Sequence, residues 1–133
     1  MNTFSQRIVK LLLLLWLLCS CNVVKCQTPD IGLKYRICSA RTYPSEQDPY
    51  AKDKYAVIYQ LTEVTSSQGN NYYYQHGSCY GHADCDEAMG ADDCTTCLAE
   101  ARDSIYVLCG TSIGAQVQLG ACRMRVEDYP FHE

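Results

Sequence analysis

The stretch CDEAMGADDCTTC, residues 85–97, decides the fold: Cys85, eight residues, Cys94, two residues, Cys97. Asp92 and Asp93 put acids where the positive end of a helix dipole favours them. From there Cys94, Cys97, Leu98, Ala101, Ile105 and Leu108 recur at helical spacing, so one stripe of the segment is apolar. Gly110 supplies the residue on which such a helix ends.

Downstream the period changes from helical to alternating. Ala115, Val117 and Leu119 interleave with Gln116 and Gln118, and Cys122, Met124 and Val126 interleave with Arg123, Arg125 and Glu127. These are two strands with one dry face each, and Gly120-Ala121 between them suits a tight hairpin. Upstream, residues 35–38 read as a short strand and 41–47 as a loop holding Pro44. Asp48-Pro49 is a helix start, an N-cap acceptor followed by proline at the first helical position. Tyr50, Val57, Ile58, Leu61 and Val64 then give the buried stripe of a helix over 49–65, ended by the polar run 66–71. Residues 72–76 suit a strand, although three adjacent tyrosines leave one ring towards solvent, and the Tyr- and Gly-rich segment after it reads as strand and loop. The element order implies an α+β domain: two helices packed on one face of a small antiparallel sheet. No repeat or low-complexity tract interrupts it.

The N-terminus sets the compartment. Arg7 and Lys10 precede the apolar run Leu11 to Leu18, and small or polar residues follow from Cys19. That is the layout of a signal peptide, with cleavage expected after Cys21 or after Cys26. Eight apolar residues fall short of the roughly 20 that a membrane-spanning helix needs. Residues 1–26 are therefore expected to be a leader and 27–133 one secreted domain, with no further membrane span and no lipid-attachment tail. Every Asn fails the glycosylation acceptor pattern. With Arg7, Lys10 and Lys25 gone, eight basic residues face fifteen acidic ones, a net charge of −7. Nucleic acid would be repelled, since affinity there rests on cations neutralising phosphates.

Seven cysteines follow the leader, at 38, 79, 85, 94, 97, 109 and 122. At this density in a short secreted chain they read as a disulfide framework. Spacing alone leaves fifteen pairings for six of them open, with one cysteine over.

The C-x8-C-x2-C spacing, with Cys109 and Cys122 beyond it and the phrases YGHADC, DCTTCL and IGAQVQLGAC around it, resembles the plant ginkbilobin-homologous domain, also called the stress-antifungal domain. The resemblance covers about residues 35–131. It implies the bridges Cys38–Cys109, Cys85–Cys94 and Cys97–Cys122, and a secreted plant defence protein that acts in the apoplast on fungi and binds mannose-type glycans. In that family the sugar is held by an Asn just after the first cysteine, an Arg in a later strand and a Glu near the C-terminus. The matching positions here are Ser39, Gln116 and Glu127, of which Glu127 alone keeps the family residue, so mannose binding is expected to be weakened or altered. The plainer reading of Glu127 is a strand residue paired to a neighbour such as Arg125's strand partner.

Other readings compete at specific residues. Cys94-Thr95-Thr96-Cys97 has the form of a redox dithiol, but no buried parallel strand precedes it, and the resemblance sends its two sulfurs to different partners. Cys79 is the sulfur left over: a buried free thiol, a partner for a retained Cys26, or the site of an intermolecular bridge. His76, Cys79, His82 and Cys85 recur every third residue and are all possible metal ligands, yet on a strand and loop that spacing does not gather them, so no metal is expected. No nucleophile motif or cofactor fingerprint is visible, and the chain is not expected to be an enzyme. The same kind of domain occurs in receptor ectodomains, which leaves a second class open. There the chain would be a protein-recognition module, a free ligand or decoy with an extracellular protein partner; Tyr72 to Tyr74 and Tyr80 are candidate aromatic contacts for a sugar face or for that partner, the plainer reading being partly buried core.

Overall fold

A computed structural model describes residues 2–23 and 28–133. The N-terminal apolar run lies in a helix, α1 (Thr3–Val23), along which Leu11 to Leu15 are each more than half exposed. Among the described residues no helix is long and apolar enough to cross a membrane. The expected cleavage after Cys26, and Cys26 as a partner for Cys79, lie outside the described residues.

The domain is a five-stranded antiparallel sheet in the order β1-β4-β5-β3-β2, with two helices on one face. Its strands are β1 (Leu33–Cys38), β2 (Asn71–His76), β3 (Cys79–Cys85), β4 (Ala115–Leu119) and β5 (Cys122–Glu127). Helix α2 (Pro49–Val64) starts as its sequence dictates: Asp48 Oδ1 accepts from Tyr50 N at 2.8 Å, and Pro49 needs no partner in the first turn. Helix α3 (Ala91–Cys109) carries Asp92 and Asp93 in its first turn and closes on Gly110, whose φ of 51° a side chain would resist. Its buried stripe is Cys94, Cys97, Leu98, Ala101, Ile105 and Cys109, with Leu108 only half-buried.

The core lies between the helices and the inner face of the sheet, where Val117, Leu119, Met124 and Val126 meet Val57, Ile58, Leu61, Leu98 and Ile105. Three disulfides fasten α3 to the sheet along its length. Cys85–Cys94 holds its start to the end of β3, Cys97–Cys122 its first turns to β5, and Cys38–Cys109 its end to β1, with Cα separations of 5.7, 6.1 and 5.2 Å.

Two features depart from the expectation. Residues 79–85 are a full strand between β5 and β2, not partly loop. Gly and Asp are poor strand formers, so local preference hides it. What places it is packing: a Cβ at Gly81 would collide with Val57 Cγ1, so glycine lets α2 lie close on the sheet. The second departure is Lys54, on the buried stripe of α2 and fully inaccessible. Its ammonium donates to Ser112 O at 2.8 Å and sits 5.3 and 5.7 Å from the ring centres of Tyr43 and Tyr106, so carbonyls and aromatic faces replace water. Burial pulls its pKa down.

Candidate functional site

The alternation read along β4 and β5 sends one residue of each pair away from the helices, and strand pairing sorts these into rows across the outer face of the sheet. One row runs Ile37, Gln116, Arg125, His82, Tyr73. Beside it runs Tyr35, Gln118, Arg123, Asp84, Asn71. On the other side Glu127 pairs with Tyr80, and Tyr80 with Gln75.

The three residues matched to a sugar site fall at one end of this face. Ser39 continues β1, its N–H donating to Gly114 O at 2.8 Å, and its Oγ accepts from Arg41 N at 3.1 Å. Gln116 stands two residues after Gly114 and donates from Nε2 to Tyr35 Oη at 3.3 Å. The Glu127 carboxylate lies over Gly114, where a Cβ would collide with Oε2, so only glycine leaves room for it there. Its Oε1 accepts from Arg125 Nε at 3.0 Å. Glu127 is thus paired to Arg125 itself, two residues back on its own strand and on the same face, rather than to a residue across the sheet.

Arg125 is the residue that the motif comparison passed over. It stands directly opposite Gln116, so a guanidinium is present beside the position where the family pattern has its Arg. Period-two alternation places 125 and 127 on one face, and that signal was available in the sequence. Burial works against its charge, but hydrogen bonds with Glu133, Glu127 and Tyr129 outweigh it and hold its pKa above the ordinary arginine value. Arg41 and Asp128 form a two-pronged pair at 2.9 and 2.7 Å at the same edge, which keeps Asp128 below the usual carboxylate range.

The remaining candidates separate. Cys79 and Cys85 face the core, whereas His82, one step out of phase, faces outward, and Cys85 is bridged to Cys94. The triplet spacing therefore does not converge, and Cys94 and Cys97 sit in different disulfides. Cys79 is unbridged and fully buried. Burial pushes its thiol up to about 12, against the pull of a hydrogen bond from Tyr50, whose Oη lies 3.7 Å from the sulfur. Of the tyrosines, Tyr72 and Tyr74 pack against the core, while Tyr73 is 41% exposed and stacks on His82 with ring centres 4.1 Å apart.

Comparisons with known proteins fit this framework. Over 133 residues the chain is 24% identical to the antifungal protein ginkbilobin-2 of Ginkgo biloba, covering 96% of this chain and 98% of that one. It is 32% identical over 97 residues to Plasmodesmata-located protein 8 of Arabidopsis thaliana, 73% of this chain but only 33% of that protein. The crystal structure of the tandem DUF26 ectodomain of the same Arabidopsis receptor-like protein superposes with a TM-score of 0.67 at 31% identity, over 74% of this chain and 46% of that ectodomain. The sequence profile described as salt stress response/antifungal matches residues 37–129, from the end of β1 to just beyond β5, and the chain belongs to that family.

Proposed function

We propose that this is a secreted plant defence protein that acts outside the cell by binding a glycan at Ser39, Gln116 and Glu127. The observation that carries the reading is the Glu127 carboxylate, fixed by Arg125 over Gly114 beside Ser39. A sugar hydroxyl needs acceptors and donors at set positions, and a carboxylate held by a guanidinium keeps its place without paying for ordering on binding. Gln116 offers amide hydrogen bonds in place of the stronger charge-assisted ones of an arginine. The Arg125 guanidinium alongside makes up part of that charge, but its donors are already engaged by Glu127, Glu133 and Tyr129. Mannose itself is therefore held more weakly than in relatives that carry the arginine, and the likeness to antifungal proteins supports action on fungal walls.

Fungal growth inhibition with and without competing mannose, alongside binding to immobilised mannan, tests the reading. Inhibition that mannan or a related wall glycan relieves supports it. A purified protein that binds no wall glycan but retains a defined extracellular protein from plant apoplast supports protein recognition instead.

A further inference from the structure

Beyond β5 the chain turns back, and residues 130–133 lie across the outer face of the sheet. The Glu133 side chain, 8% exposed, sits between two guanidiniums: Arg125 Nη1 to Oε1 at 2.7 Å and Arg123 Nη2 to Oε2 at 2.8 Å. Tyr73 reads the backbone of the same residue, its Oη accepting from Glu133 N at 2.8 Å and lying 3.4 Å from Glu133 O. Two residues earlier, the Phe131 ring lies 4.3 Å from the Arg125 guanidinium, a cation–π distance. His82 completes the pocket floor. It is 3% exposed, its Nε2 is bonded to Asn71 Oδ1 at 2.7 Å, and its Nδ1 has no hydrogen-bond partner while facing Glu133 Oε2 at 3.9 Å and Asp84 Oδ2 at 3.8 Å. A buried polar atom without a partner is uncommon enough to need a reason.

The strap fills only the charged end of this groove. Between Tyr73 and Tyr80 on the sheet and Pro130 and Phe131 on the strap, about 260 Å³ remains open. We propose that the groove over Arg123, Arg125 and Tyr73 is a peptide-recognition site for an extended segment of an extracellular protein with an aromatic residue two positions before a glutamate. In the structure that site is held by the chain's own Phe131-His132-Glu133. A peptide is favoured over an acidic sugar because Tyr73 accepts from a main-chain N–H while an aromatic ring two residues earlier covers the Arg125 guanidinium, a combination that a uronic acid does not present. The inference stands without the glycan site, which shares only Arg125 with it. The strap is an internal competitor at high effective concentration, so it sets the threshold for a partner.

The test uses the full chain with Phe131→Ala and Glu133→Ala together, which loosens the strap, and a fluorescent end-blocked peptide Tyr-Pro-Phe-His-Glu read by anisotropy. The double variant should bind the peptide roughly tenfold or more tighter than the unaltered protein. Adding Arg123→Gln, or replacing the peptide Glu by Gln, should weaken binding roughly tenfold, as loss of a charge-assisted hydrogen bond implies. If Arg123→Gln impairs folding, Tyr73→Phe, which removes only the hydroxyl, must still weaken it. No saturable binding to the double variant, equal binding to the unaltered protein, or indifference to Tyr73→Phe overturns the proposal. Displacement of the peptide by trigalacturonic acid at lower concentration than by unlabelled peptide also overturns it, in favour of an acidic glycan.

Discussion

Arg125 and Glu127 stand two residues apart on one strand and one face, joined from Nε to Oε1 at 3.0 Å, with the carboxylate resting over Gly114. The pair makes Gly114 a determinant of the proposed site although glycine offers no contact of its own. A methyl group at 114 would displace the carboxylate while leaving the core alone. Gly114→Ala is expected to lower glycan binding roughly tenfold, the equivalent of about 1.4 kcal/mol. Thermal melting should shift little by comparison, and calorimetric titration on melt-checked protein reads the difference.

The buried Cys79 thiol is expected to be inert. With no accessible surface and its ionisation pushed up to about 12, it has neither access nor thiolate for exchange, which disfavours an intermolecular bridge at this position. An aromatic disulfide reagent should leave it unmodified in native protein and modify it after denaturation. The sign of its alkaline effect follows. A thiol whose folded pKa lies above its ordinary value of 9.0 contributes stability that is whole below pH 9 and lost as pH rises towards 12. Unfolding free energies from denaturant titration between pH 8 and 10.5 should fall more for the parent than for Cys79→Ala, by up to about 1.4 kcal/mol per pH unit.

The long bridge is the one whose loss is expected to hurt most. Cys38–Cys109 closes a separation of 71 residues and Cys85–Cys94 one of 9, so chain-entropy arguments assign about 4 and about 3 kcal/mol. Replacing Cys38 and Cys109 by Ala should lower stability by about 4 kcal/mol, measured by urea unfolding.

His82 makes the outer face sensitive to acid. Burial lowers its pKa, and the carboxylates of Asp84 and Glu133, which favour the charged form, do not offset this. The folded state therefore takes up its proton at lower pH than the unfolded chain does, and stability declines as pH falls below about 6.5. Nuclear magnetic resonance titration of the His82 ring should place its midpoint below that value, and His82→Gln should flatten the decline in stability between pH 7 and pH 5.

The helices and the β4–β5 pair were legible because their apolar residues keep a clear period: the stripe from Cys94 to Ile105, and the alternation from Ala115 to Val126. Strand β3 was hidden, since Gly81 and His82 are selected by what packs on them, α2 on one face and Tyr73 on the other, rather than by strand preference. Lys54 was unreadable for a similar reason. A lysine on an apolar stripe is normally a boundary residue, and here two backbone carbonyls from the loop after α3 and two tyrosine rings complete its shell. The motif points to Glu127 alone, whereas its contacts with Arg125 and Gly114, and the strap over Arg123, enter through strand register and long-range contacts.

The most direct test is calorimetric titration of the unaltered protein, Glu127→Ala and Gln116→Arg with mannose and mannan. Saturable glycan binding by the unaltered protein is expected, with a loss of at least roughly tenfold in Glu127→Ala at unchanged melting temperature and stronger mannose binding in Gln116→Arg as a charge-assisted contact is restored. Absence of glycan binding in the unaltered protein, or binding that Glu127→Ala leaves intact, would contradict the proposed glycan site.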